Sequence, residues 1–172
     1  TSTIRKYFNE VNNAQKIFFG NSYINILKKN INILPMLFGD LNKCSLDILS
    51  KFLESDIYIV FGCSYIKGEL IEFLVNHKAL NIHIGISPYY RGTDCNFWAL
   101  YDDNPHLVGA TIHFLTKGLD NGPILYHAVS NIKSNHFEYT MSTVKAAFHS
   151  LAERIKDGSI FKINPLDQNK TN

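Results

Sequence analysis

The chain has 172 residues, 45% hydrophobic and 13% aromatic, enough to bury roughly two-thirds of its unfolded surface in one domain and too apolar for global disorder. Seventeen basic and fifteen acidic residues leave a formal charge of +2, and no Lys/Arg run exceeds the pair Lys28-Lys29. That argues against nucleic acid as a primary partner, since phosphate backbones need clustered cations, while leaving a small phosphorylated ligand open.

No apolar run approaches the roughly 20 residues that span a bilayer, so no membrane role is expected. Cys44, Cys63 and Cys95 are widely spaced and form no CxxC pair. They read as buried, reduced thiols of a cytoplasmic protein, with no zinc or dithiol site.

In chain order, the apolar run Ala14–Phe19 before Gly20-Asn21 predicts a strand. Tyr23–Lys29 reads as a helical turn or an extended piece, and Pro35 makes Ile31–Phe38 an edge strand or a loop. Ser45 is an N-cap for a helix over Leu46–Leu53. Asp56–Phe61, a continuous apolar run closed by Gly62, predicts a buried parallel strand. Helical spacing at 70, 71, 74 and 75 marks Lys67–His77. Ala79–Ile84 is a second buried strand, followed by a loop through Pro88 and Arg91-Gly92. Phe97–Tyr101 is a helix candidate, Val108–Leu115 and Ile124–Ile132 are strands around the loop Gly118–Pro123, and Tyr139–Asp157 is an amphipathic helix stopped by Gly158. This order predicts an α/β fold with a mostly parallel central sheet.

Positions i and i+2 of a strand share a side, so Asn81 and His83 present a carboxamide and an imidazole together near the carboxyl end of a buried strand. Ligands sit there in open α/β sheets. The amide can donate to an oxyanion, and the imidazole can exchange protons near neutrality. Asp120, in the turn-rich Lys117–Gly122, could orient that imidazole. Taken alone, each has an equally plain structural reading: a histidine bonded to a backbone carbonyl, and an Asx-turn in a glycine-rich loop.

Their company carries more. Asn81-x-His83, Ser87-Pro88, Arg91-Gly92, Gly109-x-Thr111-x-His113 and Gly118-Leu119-Asp120-x-Gly122 follow in order. Together with the strand before Gly62, over roughly residues 56–130, they resemble the N10-formyltetrahydrofolate-dependent formyltransferase family. That family includes glycinamide ribonucleotide transformylase, methionyl-tRNA formyltransferase and nucleotide-sugar N-formyltransferases. The resemblance implies a Rossmann-like catalytic domain and a catalytic triad at Asn81, His83 and Asp120, with no metal. Asn81 would donate to the formyl oxygen of N10-formyltetrahydrofolate as an amine attacks. His83 would shuttle protons, and Asp120 would fix its tautomer and raise its pKa. The stretches Gly62, Cys63, Ser64, Tyr65, Ile66 and Leu115, Gly118, Leu119 match the places where the family grips the pterin.

Tyr89, Tyr90 and Arg91 are candidates for the amine substrate, although Arg91 could equally brace its own loop. His113 is read as structural, Phe97 and Trp98 as core, and neither Cys63 nor Cys95 as a nucleophile. The Gly85-Ile86-Ser87-Pro88 form looks closer to members acting on amino sugars. About 80 residues precede Asn81, where the family usually places three β-α units, so the expectation is either an abbreviated front or a chain that is a fragment. The whole chain, 1–172, then reads as one catalytic domain moving a formyl group to a primary amine, an amino sugar on a nucleotide being one candidate. The alternatives are a formyltetrahydrofolate hydrolase and a non-catalytic folate-binding module; an oligomer fits any of these.

Overall fold

Residues 2–20 and 31–168 are described by a computed structural model. Their scaffold is a four-stranded sheet in the order β1-β2-β3-β4: β1 Ile59–Val60, β2 Leu80–His83, β3 Ala110–Phe114 and β4 Ile124–Ala128. β1 and β2 run parallel, as expected for the 56–84 unit, and a helix, α3 (Gly68–Asn76), makes the return. The pairs β2–β3 and β3–β4 are antiparallel. The mostly parallel sheet is thus corrected: apolar strands buried on both faces read alike in either orientation, and the loop 115–123 is too short for a parallel crossover.

Leu80 and Ile82 join Ala110, Ile112, Leu125 and Ala128 in one cluster with Ala147 and Leu151 of the long helix α5 (His136–Lys156). Each fully buried Leu or Ile side chain there stabilises the fold by about 1.5–3 kcal/mol. Asn135 caps α5, its Oδ1 accepting from the Phe137 and Glu138 amides, and Gly158 follows its end at φ 73°. A second cluster gathers Ile66, Ile71, Leu74 and Ala79 with Leu49 of α2 (Leu46–Leu49), whose start Ser45 caps through the Ile48 amide.

Several expectations change. Ala14–Phe19 belongs to a helix, α1 (Ser2–Phe19), not a strand. A short apolar run suits either period, and α1 settles as a helix lying against α5, with Tyr7 on Phe137 and Phe19 on Phe148. Tyr23–Lys29 lies outside the described residues, and 31–37 is loop. The strand expected at 56–61 shrinks to two residues at the sheet edge, leaving Ile59 and Phe61 exposed. Phe97 and Trp98 are exposed rather than core, because α4 (Cys95–Tyr101) buries Cys95, Asn96 and Ala99 on its other face. The cysteines are free as expected, yet only Cys95 is buried and Cys63 is exposed. Among the described residues no helix is long and apolar enough to cross a membrane.

Candidate active site

With Leu80 and Ile82 committed to the core, the pleat of β2 gives Asn81 and His83 to a cleft on the other side. The antiparallel register then sets His113 opposite Asn81 and Thr111 opposite His83. A register shift at Ile112/His113 interrupts the pairing with β4 on the far side of β3. Asp120 arrives from the loop after β3 at φ 44°, a left-handed conformation that aspartate tolerates better than most residues. That loop can close only because of Gly122, where a Cβ would lie 1.7 Å from the Phe114 carbonyl oxygen.

These side chains form one connected network. The Phe114 carbonyl can only accept, so His113 Nδ1 (2.8 Å) carries the proton there. In the neutral ring Nε2 is then a lone pair, and it accepts from Asn81 Nδ2 at 3.1 Å. The second hydrogen of the same amide goes to Asp120 Oδ1 at 3.0 Å. A flipped carboxamide would set two oxygens against each other at that distance, so the hydrogen bonds fix the Asn81 orientation. Asp120 Oδ2 accepts the Gly92 amide at 3.0 Å and lies 3.3 Å from His83 Nδ1. His83 Nε2 donates to the Tyr90 carbonyl at 2.9 Å. Gly85 makes room for this imidazole, since a Cβ there would stand 2.5 Å from His83 Nε2.

The proton inventory differs from the sequence expectation in one respect. The Tyr90 carbonyl holds the His83 tautomer, with the hydrogen on Nε2, and Asp120 faces the other nitrogen. Burial pushes the His83 pKa down, outweighing the raising effects of the Asp120 charge and the Tyr90 carbonyl. Asp120 does raise the His83 pKa as expected, but burial is the larger effect and the net direction is down. For Asp120, burial raises the carboxyl, but His113, the His83 charge and the Gly92 amide together hold it below the ordinary value. A carboxylate beside an imidazole that resists protonation until a charge develops nearby is a device for taking up a proton transiently.

The cleft beside this network measures about 590 Å³, within the usual size of small-molecule sites. Gly62, Cys63, Ser64, Tyr65, Ile66, Leu115, Gly118 and Leu119 all line it with Asn81, His83 and Asp120. Tyr65 ties the stretches 62–66 and 115–119 together, its hydroxyl donating to the Lys117 carbonyl. Asn42 braces the near side, donating to the Tyr65 carbonyl and accepting the Lys67 amide, each at 2.8 Å. Apolar walls at Val60, Phe61, Ile66 and Leu115 leading to a polar end at Asn81, His83 and Asp120 fit a flat heterocycle carrying a reactive carbonyl. A neighbouring hollow of about 420 Å³, walled by Leu34, Met36, Leu49, Leu53 and Leu70, holds none of these polar groups.

Tyr89, Tyr90 and Arg91 do not line the cleft. Tyr89 is exposed. The Tyr90 hydroxyl is held by Asp102 and Asn104, each at 3.0 Å. Arg91 Nε donates to Gln168 Oε1 at 2.9 Å, while its buried Nη2 has no hydrogen-bond partner among the described residues.

Two residues of the network escaped the sequence reading. His113 is 1% exposed and touches both Asn81 and Asp120; its spacing in Gly109-x-Thr111-x-His113 was visible, but the register that sets it beside Asn81 was not. Gln168 had no local signal at all.

Comparison with known proteins adds to this geometry. The sequence profile described as formyl transferase matches residues 44–156, more than half of the chain. Formyltetrahydrofolate deformylase 1, mitochondrial, of Arabidopsis thaliana is 27% identical over 76% of this chain and 41% of its own length. A methionyl-tRNA formyltransferase of Thermosynechococcus vestitus is 31% identical over 56% of this chain and 28% of its own. The chain therefore spans less than half the length of these relatives. The formyltransferase PseJ of Anoxybacillus kamchatkensis, solved with UDP-4,6-dideoxy-4-formamido-L-AltNAc and tetrahydrofolate, superposes with a TM-score of 0.54 at 29% identity, over 69% of this chain and 62% of that one. By profile, site order and fold, the chain belongs to the formyl transferase family.

Proposed function

We propose that this chain acts as one catalytic domain transferring a formyl group from N10-formyltetrahydrofolate to a primary amine, with a nucleotide-linked amino sugar as the acceptor class. The observation that carries this reading is the joining of Asn81, His83 and Asp120 at the polar end of a cleft lined by residues 62–66, Leu115, Thr116, Gly118 and Leu119. The folate supplies the formyl group. The backbone and apolar side chains of Gly62–Ile66 and Leu115–Leu119 hold its ring system against the site.

Asn81 stabilises the charge that develops on the formyl oxygen by exchanging its longer hydrogen bond, to His113, for that oxygen. His83 takes the proton released by the attacking amine at Nδ1, where Asp120 Oδ2 offsets the new positive charge, and returns it to N10 of the folate as the bond from the formyl carbon to N10 breaks and tetrahydrofolate leaves. The Tyr90 carbonyl keeps the ring from turning while this happens. Similarity to PseJ supports the amino-sugar class.

The test is tetrahydrofolate release by purified protein given that donor and a panel of nucleotide-linked amino sugars. Release that depends on one of them supports the reading, and no release with any sinks it. A second reading, hydrolysis with water as acceptor, is favoured by the match to the Arabidopsis deformylase along 76% of the chain. Donor consumption at full rate without an amine would establish it instead.

A further inference from the structure

We propose that Gln168 is a positioning residue for Asp120, clamping the loop that carries the carboxylate to the loop that carries Arg91 and Gly92; the inference rests on the site assignment above. Both hydrogens of the Gln168 amide are used on the Asp120 loop: Nε2 donates to the Asp120 carbonyl at 3.0 Å and to the Gly122 carbonyl at 2.7 Å. Its oxygen accepts from Arg91 Nε at 2.9 Å. One side chain thus satisfies two carbonyls that flank the sharpest part of the loop, where Asp120 sits at φ 44°.

The placement of Gln168 is itself determined. Two residues earlier, Leu166 pairs with Ile124 at the start of β4 through Ile124 N to Leu166 O (2.7 Å) and Leu166 N to Ile124 O (2.8 Å). Gln168 is therefore anchored to the same strand that follows the Asp120 loop. The opposite side of the clamp is the Arg91-Gly92 segment, whose Gly92 amide donates to Asp120 Oδ2. Asp120 is held at its carboxylate by the Gly92 amide and Asn81 and at its backbone by Gln168, and Arg91 joins the Gly92 and Gln168 holds. Loss of the Gln168 donors would leave the carboxylate tethered only at its tip, free to drift from His83 Nδ1, which it faces at 3.3 Å.

Two variants separate positioning from general stability. Gln168→Ala removes the whole clamp. Gln168→Glu keeps the pairing with Arg91 but sets carboxylate oxygens against the Asp120 and Gly122 carbonyls, so it isolates the two donated hydrogen bonds. In both, kcat for formyl transfer falls by about 10- to 100-fold while KM for the folate changes by less than about threefold, because small misplacement of a catalytic group costs rate rather than binding. Amide hydrogen exchange of Gly92, which reports the carboxylate position without any turnover, accelerates by about tenfold or more while the β3 amides keep their protection. Gln168→Glu with the kcat and Gly92 exchange of the wild type would overturn the clamp. If the wild-type protein transfers no formyl group, the site assignment fails, and the exchange measurement alone still decides whether Gln168 places Asp120.

Discussion

Asn81 and Asp120 share a hydrogen bond of 3.0 Å between residues 39 apart in the chain, and it uses the carboxamide hydrogen that points away from His113. The Asn81 carboxamide and the Asp120 carboxylate are thus parts of one network before any ligand enters. Removing either member takes one hydrogen bond from the other, leaving Asn81 with His113 and Asp120 with Gly92.

Substitution of the network therefore has unequal effects on rate and stability. Asn81→Ala or His83→Ala lowers kcat by about 10²- to 10⁴-fold, the range for losing a proton carrier or an oxyanion donor. Asp120→Asn removes the charge facing His83 at nearly constant volume and lowers kcat comparably. Steady-state rates with the formyl donor check all three, and full turnover in any one excludes its role.

His113→Phe keeps the ring volume but deletes both its bonds, to the Phe114 carbonyl and from Asn81. Two half-buried polar groups each lose a hydrogen bond, costing about 0.5–1.5 kcal/mol apiece. The expected result is a lower urea midpoint together with a kcat reduced about tenfold or more, since the Asn81 amide is no longer aimed. A stability loss with unchanged kcat would make His113 purely structural.

Stability should fall in acid in two stages. The depressed His83 pKa means that below about pH 6.5 the unfolded chain binds a proton that the folded site refuses. Asp120, also depressed, adds a second loss as pH falls below about 4, where the unfolded carboxyl is protonated first. Both contributions are fully present above these values. Urea midpoints measured from pH 8 to pH 4 should decline below about 6.5 in the wild type and less steeply in His83→Asn; identical slopes would contradict the assignment.

Gly85 and Gly122 are required by space rather than by conformation. A Cβ at Gly122 meets backbone at 1.7 Å and has nowhere to go; at Gly85 it meets the His83 ring at 2.5 Å and Cys95 at 2.6 Å. Gly122→Ala should destabilise by about 3 kcal/mol or more, and Gly85→Ala by about 1–3 kcal/mol with an added loss of kcat from the displaced imidazole. Thermal melts and rates on the same samples separate the two.

The thiols should react in order of access. Cys63 lines the cleft, and although burial there raises its pKa it is exposed, whereas Cys95 is buried and its thiol is pushed up to about 11 by desolvation and by the Asp120 and Asp94 charges. A thiol reagent at neutral pH should label Cys63 and leave Cys95 unlabelled, and a folate analogue should slow the Cys63 reaction. Labelling of Cys63 that ignores the analogue would move the folate out of this cleft.

What the sequence determined by itself is what depends on neighbours along the chain. Period two placed Asn81 and His83 on one side of a strand, helical spacing marked α3 and α5, and the ordered motifs from Asn81 to Gly122 pointed to the family. A short apolar segment such as Ala14–Phe19, read as a strand before its turn signal, folds as a helix instead, because the same few residues satisfy a helix face or a strand. Everything that joins distant segments was decided only by the tertiary structure. The antiparallel register brings His113 to Asn81 across 32 residues, and the bridge of Leu166 to Ile124 brings Gln168 to Asp120 across 48. Pairing energies of backbone ladders do not depend strongly on which side chains they carry, so such contacts leave little trace in local sequence. The sign of the His83 shift was likewise a tertiary outcome, since burial, and not the neighbouring carboxylate alone, sets it.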